Sequence, residues 1–256
     1  MDLELKGKRA LVLGSSRGLG MAIAKGLAAE GVEVYAAARS VDKISDWAQG
    51  MDNVHPVQLD LSDVEAVDQV ADMLLADGGV DIVVNNGGGP PPGTAQAAGR
   101  SDWTRHFEAM AANLFHLSGR LLPAMQKQGW GRIISVASSG VEQPIPNLAL
   151  SNGIRAAVVG WSKTLASEVA ADGVTVNVVM PGRIHTQRVD ELDAAAAKRT
   201  STDVDEVARK SAASIPAGRY GKPEEFADVV VFLASARASY VTGSRIRIDG
   251  GAIRSI

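Results

Sequence analysis

The stretch Leu11-Val12-Leu13-Gly14-Ser15-Ser16-Arg17-Gly18-Leu19-Gly20 is typical of the end of a strand, a glycine-rich turn and the start of a helix. Its glycines follow the spacing Gly-x-x-x-Gly-x-Gly. Such a turn lets the backbone approach a pyrophosphate, and the following helix offers its N-terminus to the negative charge. An ordinary turn between strand and helix is the alternative, but the position after the first predicted strand favours nucleotide binding. The predicted contacts are Gly14, Ser16, Arg17, Gly18, Leu19 and Gly20.

The rest of the chain alternates short apolar runs with longer helical patterns. The runs are rich in Val and Ile without strict alternation, which is typical of parallel strands buried on both faces. They are Arg9–Leu13, Glu33–Ala37, Val54–Leu59, Asp81–Asn85, Arg132–Val136, Thr175–Met180 and Arg245–Ile248. The helical patterns are Leu19–Glu30, Asp63–Ala76, Asp102–Gln128, Ser151–Ala171 and Pro223–Ser235. This order predicts an α/β fold of the Rossmann type: a doubly wound, seven-stranded parallel sheet with helices on both faces.

Two segments interrupt the alternation within what we expect to be a single domain, residues 1–256. Gly87–Gly93 has the sequence GGGPPPG, a loop that is flexible at its start and stiff at its prolines. Gln187–Ile215 is polar and rich in Ala, and we expect one or two exposed helices there. An insertion after the carboxyl end of a strand is where a substrate lid would lie, at about 187–215.

Composition excludes several classes of protein. Of the 256 residues, 46% are hydrophobic and 21% are charged, which excludes wholesale disorder. The net charge of −3 gives no electrostatic reason to expect a nucleic acid partner. Cysteine is absent, so disulfides, thiolate nucleophiles and cysteine-bound zinc are excluded, and no His/Asp/Glu cluster has metal-ligand spacing. The opening MDLELKGK lacks the apolar region of a secretory signal, so we expect a cytoplasmic protein with no membrane association.

The end of the second predicted strand indicates which nucleotide binds. It has the sequence Ala37-Ala38-Arg39-Ser40, without the acid that would accept from a ribose 2′-hydroxyl. Arg39 and Arg17 provide two guanidinium groups that suit a 2′-phosphate. The alternative is that Arg39 is a solvated charge. We therefore predict NADP(H) as the cofactor, with NAD(H) less favoured.

With these motifs in order, the whole chain resembles the short-chain dehydrogenase/reductase family. The resemblance rests on the cofactor turn Gly14, Gly18 and Gly20, on Asn85-Asn86-Gly87-Gly88 and on the ending Asp249-Gly250-Gly251. It implies cofactor contacts by six further positions: Asp60, Leu61, Pro181, Gly182, Ile184 and Thr186. Asn86 and Gly87 are implied to lie beside the cofactor, and Asn113 matches the family's structural and catalytic Asn.

The catalytic positions depart from the family pattern. The resemblance implies a Ser, a Tyr about 13 residues later and a Lys four residues after the Tyr. Ser138 matches the Ser, but Ser151 stands in place of the Tyr and Arg155 in place of the Lys. An aliphatic hydroxyl is a far weaker acid than a phenol, so Ser151 is a poor proton donor. Arg155 keeps a fixed charge and the i, i+4 spacing from Ser151, so it can still bind the nicotinamide ribose.

Another group must then handle the proton. His185 is the first candidate, because it lies between Pro181-Gly182 and Thr186 and its usual pKa suits proton exchange. The alternative is that His185 points to solvent or to the lid. A second route is a water positioned by Ser138, Ser151, Asn113 and Arg155.

Three functions remain open at this point. The first is an oxidoreductase that moves hydride between a nicotinamide and a carbonyl or alcohol carbon of a small molecule. The second is a regulatory or sensor protein that binds NADP(H) without turnover, and the third is a lyase or epimerase on the same scaffold. The resemblance also implies a homotetramer, and Ile253 and Ile256 at the C-terminus are candidates for packing against another subunit.

Overall fold

The sheet contains seven parallel strands, in the spatial order β3-β2-β1-β4-β5-β6-β7. The structure is a computed structural model and describes residues 2–255. The strands are β1 Arg9–Leu13, β2 Glu33–Ala38, β3 Val54–Gln58, β4 Ile82–Asn85, β5 Gly131–Val136, β6 Val174–Pro181 and β7 Arg245–Ile248. The predicted doubly wound, seven-stranded parallel sheet is confirmed. Chain order reverses between β1 and β4, and ligands of such sheets bind at that point, beyond the carboxyl ends of the strands.

Helices cover both faces of this sheet and bury its apolar strands. They are α1 Gly18–Ala29, α2 Val41–Trp47, α3 Val64–Ala76, α4 Arg100–Phe107, α5 Asn113–Gln128, α6 Ala149–Val169, α7 Gln187–Thr200, α8 Val204–Ala213 and α9 Pro223–Ala234. On one face, Leu27 of α1 packs in the same cluster as Phe226 of α9. On the other face, Leu74 of α3 and Leu117 of α5 belong to a second buried cluster. All four residues of β4 are buried, as expected for a strand covered on both faces.

The chain differs from its predicted elements in two places. Helix α2 was not predicted, because its seven residues are mostly polar and Ile44 alone among them is buried. The helix predicted over Asp102–Gln128 starts at Arg100 and is divided by a π-helical turn at Glu108–Ala112. In that turn the amide of Asn113 donates to the carbonyl of Glu108, five residues earlier. Such turns insert one extra residue and are frequent at functional sites.

The segment 187–215 forms two helices, α7 and α8, after strand β6. Helix α7 buries Val189, Asp193 and Ala197 against the rest of the chain. At the C-terminus Ile253 is half-buried, while Ile256 lies outside the described residues. Within residues 2–255, no helix has both the length and the apolar character needed to cross a membrane.

Candidate active site

The glycine-rich turn joins β1 to α1 through positions that need glycine. Gly14 and Gly18 have positive φ angles of 65° and 59°, which side chains with a Cβ rarely adopt. A Cβ on Gly14 or on Gly20 would come within 2.7 Å of the Asn86 amide nitrogen. That nitrogen donates to the carbonyl of Leu13 at 3.0 Å, so the ends of β1 and β4 are held together. The turn is therefore packed to a fixed shape, with Ser16, Gly18 and Leu19 half-buried at its surface.

The N-terminus of α1 is left free to bind an anion. Arg17 precedes the helix and makes no side-chain hydrogen bond to its amides, and the first turn contains no acid. By contrast, Asp63 accepts from two amides at the start of α3, and Asp203 does so at α8. Unsatisfied amides and the helix dipole at α1 suit a pyrophosphate. This arrangement fits the pyrophosphate of a dinucleotide. Among the described residues, no side chain occupies the place of that phosphate at the start of α1.

The loop after β3 lies near the same turn. Both the backbone amide and the hydroxyl of Ser62 donate to Asp60, and these bonds, with the charge of Arg39, lower the pKa of Asp60. The side-chain amide of Asn113 donates to the carbonyl of Leu61 at 2.8 Å, so the π turn connects this loop to α5. A Cβ on Gly87 would lie 3.7 Å from Leu61. These residues line one side of the site.

The two arginines that the sequence predicts to bind a 2′-phosphate are both exposed. Arg39 is exposed at the end of β2, close enough to Asp60 to affect its pKa. Arg17 is also exposed, and its Nη1 lies 3.3 Å from Glu191 Oε1 on α7. Arg17 is thus shared between the cofactor turn and the predicted lid.

The segment after β6 meets the turn from the opposite side. Thr186 is the residue that a Cβ on Gly18 would approach, at 3.7 Å. Gly182 packs so closely on Asp249 that a Cβ would lie 2.7 Å from the Asp249 Cα. Ile184 is buried and pairs with Gly221 in an isolated bridge. Pro181, Gly182, Ile184 and Thr186 are in this way held beside the end of the sheet.

The three positions that the sequence predicts to be catalytic lie after β5 and on α6. Ser138 lies two residues after β5 with an extended backbone, and its Oγ accepts from the amide of Gly140 at 3.1 Å. Ser151 lies in the first turn of α6 and is 8% exposed. Arg155 Nη1 donates to Ser151 Oγ at 2.9 Å, as the i, i+4 spacing predicts. Ser151 and Arg155 therefore act as a pair in which the hydroxyl oxygen faces a fixed positive charge.

Few groups of the described chain compensate the positive charge of the Arg155 guanidinium. Its Nε is buried and makes no hydrogen bond to residues 2–255. Burial, and then the charge of Arg188, lowers the pKa of Arg155 to about 10. No carboxylate among residues 2–255 balances the charge of Arg155, so the site contains surplus positive charge. Burying a charge without an opposite charge is costly.

The three tyrosines do not supply the missing phenol. Tyr35 donates its hydroxyl to Asp77, and Tyr240 is fully exposed. Tyr220 donates to the buried carboxylate of Asp193 at 2.8 Å, and burial raises the pKa of Tyr220. A raised pKa makes a phenol a poorer acid near neutral pH.

The recorded contacts of His185 within residues 2–255 include neither Ser151 nor Arg155. Its side chain is 68% exposed and its Nε2 lies 3.4 Å from Asp190 on α7. Its backbone amide donates to Gly221, and its ring is 6.4 Å from that of Tyr220. The described contacts of His185 are therefore with the segment that leads into α9 and with the predicted lid.

The structure adds Arg188 and Glu191, which the sequence did not indicate. Arg188 Nη2 lies 3.5 Å from the carbonyl of Pro90, and its Nη1 lies 3.5 Å from Glu191. Glu191 therefore connects Arg188 with Arg17 of the cofactor turn. These contacts depend on α7 folding back over the loop at Gly87–Gly93, which local sequence does not encode.

Fold and site together define a dinucleotide-binding α/β protein of the oxidoreductase type. A family model described as "Enoyl-(Acyl carrier protein) reductase" matches residues 14–252. The chain therefore belongs to the short-chain dehydrogenase/reductase family, as the motifs predicted.

Relatives of known name span almost the entire chain. The 3-oxoacyl-(acyl carrier protein) reductase FabG of Vibrio cholerae is 37% identical over 253 residues, which are 97% of this chain and 98% of FabG. The structure of L-sorbose reductase from Gluconobacter frateurii, complexed with NADPH and L-sorbose, is 35% identical with a TM-score of 0.94 over 100% of both chains. YwfH, an NADPH-dependent reductase involved in bacilysin biosynthesis, is 28% identical, with a TM-score of 0.93 over 97% of this chain and 99% of its own.

Proposed function

We propose that the chain is an NADP(H)-dependent oxidoreductase that interconverts a carbonyl and an alcohol, with a proton route that uses no tyrosine. The observation that carries this proposal is the hydrogen-bonded Ser151–Arg155 pair, which together with Ser138 occupies the positions that the family resemblance implies are catalytic. The uncapped turn at α1 and the two exposed arginines support NADP(H) binding. NADPH-dependent relatives support the same cofactor.

NADPH, when bound, supplies the hydride, and the residues of the chain handle the oxygen of the substrate. The amide of Gly140 donates to Ser138 Oγ, which leaves the Ser138 hydroxyl proton for the carbonyl oxygen. Arg155 stabilises the negative charge that develops on that oxygen, because its guanidinium is a fixed positive charge in a site from which water is partly excluded. Helices α7 and α8 act as the lid that excludes water, supported by the contacts of Glu191 and Arg188 with the body of the protein.

The proton reaches the substrate through the Ser151 hydroxyl, which relays it from solvent. Ser151 alone is too weak an acid, but Arg155 lowers the cost of a transient negative charge on its oxygen. His185 is the other candidate donor, and its exposure and its contact with Asp190 favour the Ser151 route. A His185→Ala variant separates them: an unchanged rate and pH profile supports the relay, and a large loss of rate with NADPH binding intact identifies His185 as the donor.

Steady-state loss of NADPH absorbance with a panel of ketones, diketones and activated aldehydes tests this function. Ser138→Ala is expected to lower kcat by about 100-fold, because the substrate oxygen loses a donor. Ser139→Ala, the adjacent serine, is the matched control and is expected to retain activity. Tight NADPH binding with no turnover on any substrate would instead favour a binding protein without catalysis, which the missing phenol makes the second candidate.

Arg39 is expected to determine the preference for NADPH. Arg39→Ala should weaken NADPH binding by about 10- to 100-fold, since a charge-assisted contact to the 2′-phosphate is lost. NADH lacks that phosphate, so its affinity should change little. Fluorescence titration with both nucleotides measures this, with Lys43→Ala on α2 as a control of equal charge change. An equal loss for NADPH and NADH would contradict the assignment.

We also propose that the protein is a homotetramer. Strand β7 forms an edge of the sheet with alternate residues exposed, and Phe232 on α9 is exposed as well. A cavity of about 360 Å³ lies between α6 and β7, lined by residues such as Val159, Val178 and Lys163. Light scattering is expected to give about four times the chain mass of 26.7 kDa, and a monomer at micromolar concentration would overturn the proposal.

A further inference from the structure

Two arginines from different helices converge on one short loop of the site. Arg155 of α6 places Nη1 about 4.0 Å from where a Cβ on Gly89 would lie. Arg188 of α7 places Nη2 3.5 Å from the carbonyl of the next residue, Pro90. Both guanidiniums therefore lie against the Gly89-Pro90 segment, and that of Arg155 also contacts Ser151.

Little in the described chain neutralises this positive charge. Among residues 2–255, Arg155 has Ser151 as its hydrogen-bond partner, and no carboxylate pairs with its guanidinium. Within the described residues its Nε is buried without a hydrogen-bond partner, whereas Arg155 as a whole keeps partial exposure. Arg188 has a single weak ion pair, to Glu191 at 3.5 Å, and Glu191 is also shared with Arg17.

We propose that Arg155 and Arg188 form a carboxylate-binding subsite, and that the substrate is an oxo acid whose carboxylate binds there. The inference rests on the proposed function for the identity of the reacting carbonyl, but the anion site itself does not. Guanidinium groups bind carboxylates through paired hydrogen bonds, and a bound anion compensates the buried charge of Arg155. A carboxylate at this pair leaves an adjacent carbonyl within reach of Ser151.

Binding is measured first, without turnover. Benzoate and benzamide share their size and differ in charge, and each is titrated by calorimetry into the protein saturated with NADP⁺. We expect benzoate to bind, and Arg188→Ala to weaken it by about tenfold or more, because a hydrogen bond to a charged group is lost. Arg199→Ala removes the same charge from the end of α7 and is expected to leave benzoate binding unchanged. Glu191→Gln is expected to strengthen it, because Arg188 loses its competing carboxylate.

Kinetics then test the substrate class. Benzoylformate and methyl benzoylformate present the same activated ketone with and without a carboxylate. We expect the ratio of their kcat/KM values, acid over ester, to fall by about tenfold or more in Arg188→Ala. Arg188→Lys is expected to restore part of that ratio.

Three results would overturn the proposal. They are failure of benzoate to bind, equal benzoate binding by Arg188→Ala and the unaltered protein, and a loss of NADPH affinity in Arg188→Ala that matches the loss for benzoate. The last result would mean that the pair holds a cofactor phosphate. Arg188-dependent benzoate binding without turnover of either ketone would instead uphold the anion site and contradict the proposed reductase activity.

Discussion

Replacing Ser151 by Tyr and Arg155 by Lys together is expected to raise kcat for a neutral activated ketone by about 100-fold or more. A phenol beside an ammonium group is a far better proton donor near neutral pH than an aliphatic hydroxyl. Ser151 lies in the first turn of α6 with its Oγ on the Arg155 guanidinium, so both substitutions occur on one helix face. Steady-state NADPH oxidation with an uncharged diketone measures the gain without involving the proposed carboxylate subsite.

Two further variants establish the cause of that gain. Ser151→Tyr alone is expected to gain less, because Arg155 is a bulkier and differently shaped neighbour than Lys for the new phenol. Adding Ser138→Ala to the double variant should remove most of the gain, since the carbonyl is then poorly oriented. If the double variant folds, binds NADPH and is no faster than the unaltered protein, proton donation does not limit catalysis.

Gly20→Ala is expected to abolish detectable NADPH binding. The new Cβ would lie 2.7 Å from the Asn86 side-chain amide and would also overlap the carbonyl of Gly14. The Asn86 side chain is fixed by its hydrogen bond to the Leu13 carbonyl, and the Gly14 carbonyl belongs to the turn itself. Removing the overlap therefore requires α1 to move away from β1. Overpacking of this kind also costs about 1–3 kcal/mol of stability. Fluorescence titration with NADPH and urea denaturation measure the two effects.

Gly119→Ala provides the control for that variant. Gly119 is exposed in the middle of α5, and a Cβ there would meet no atom within 4 Å. Because alanine favours a helix interior, stability should rise by about 0.5–1 kcal/mol with NADPH affinity unchanged. Normal NADPH affinity in Gly20→Ala would contradict the close packing of the turn.

The sheet could be predicted because its signals are local. Buried parallel strands such as β4 consist of consecutive apolar residues, and the glycine-rich turn marks the first crossover. Helix α2 escaped prediction because it is short and buries one residue, Ile44. The π turn at Glu108–Ala112 was missed because it extends a helical pattern by one residue without changing its composition.

The candidate site was harder to predict than the sheet. Replacement of the family's Tyr and Lys by Ser151 and Arg155 stays a prediction from the sequence, which rests on their spacing from Ser138. Arg188 was not singled out, because its position depends on α7 lying against the Gly87–Gly93 loop, 98 residues earlier at Pro90. The orientation of His185 was likewise set by contact with Asp190 rather than by its place next to Thr186.

The uncapped start of α1 links the thermal stability of the fold to its nucleotide supply. Helices α3 and α8 satisfy their first amides with Asp63 and Asp203, a contribution of about 1 kcal/mol each whether or not ligand is present. Among residues 2–255 no side chain caps α1, so a phosphate bound there would supply the equivalent contribution. Because a ligand that binds only the folded state stabilises it in proportion to the logarithm of its concentration, the protein would resist unfolding best in cells rich in NADPH. Depletion of the nucleotide would then lower the stability of the folded protein.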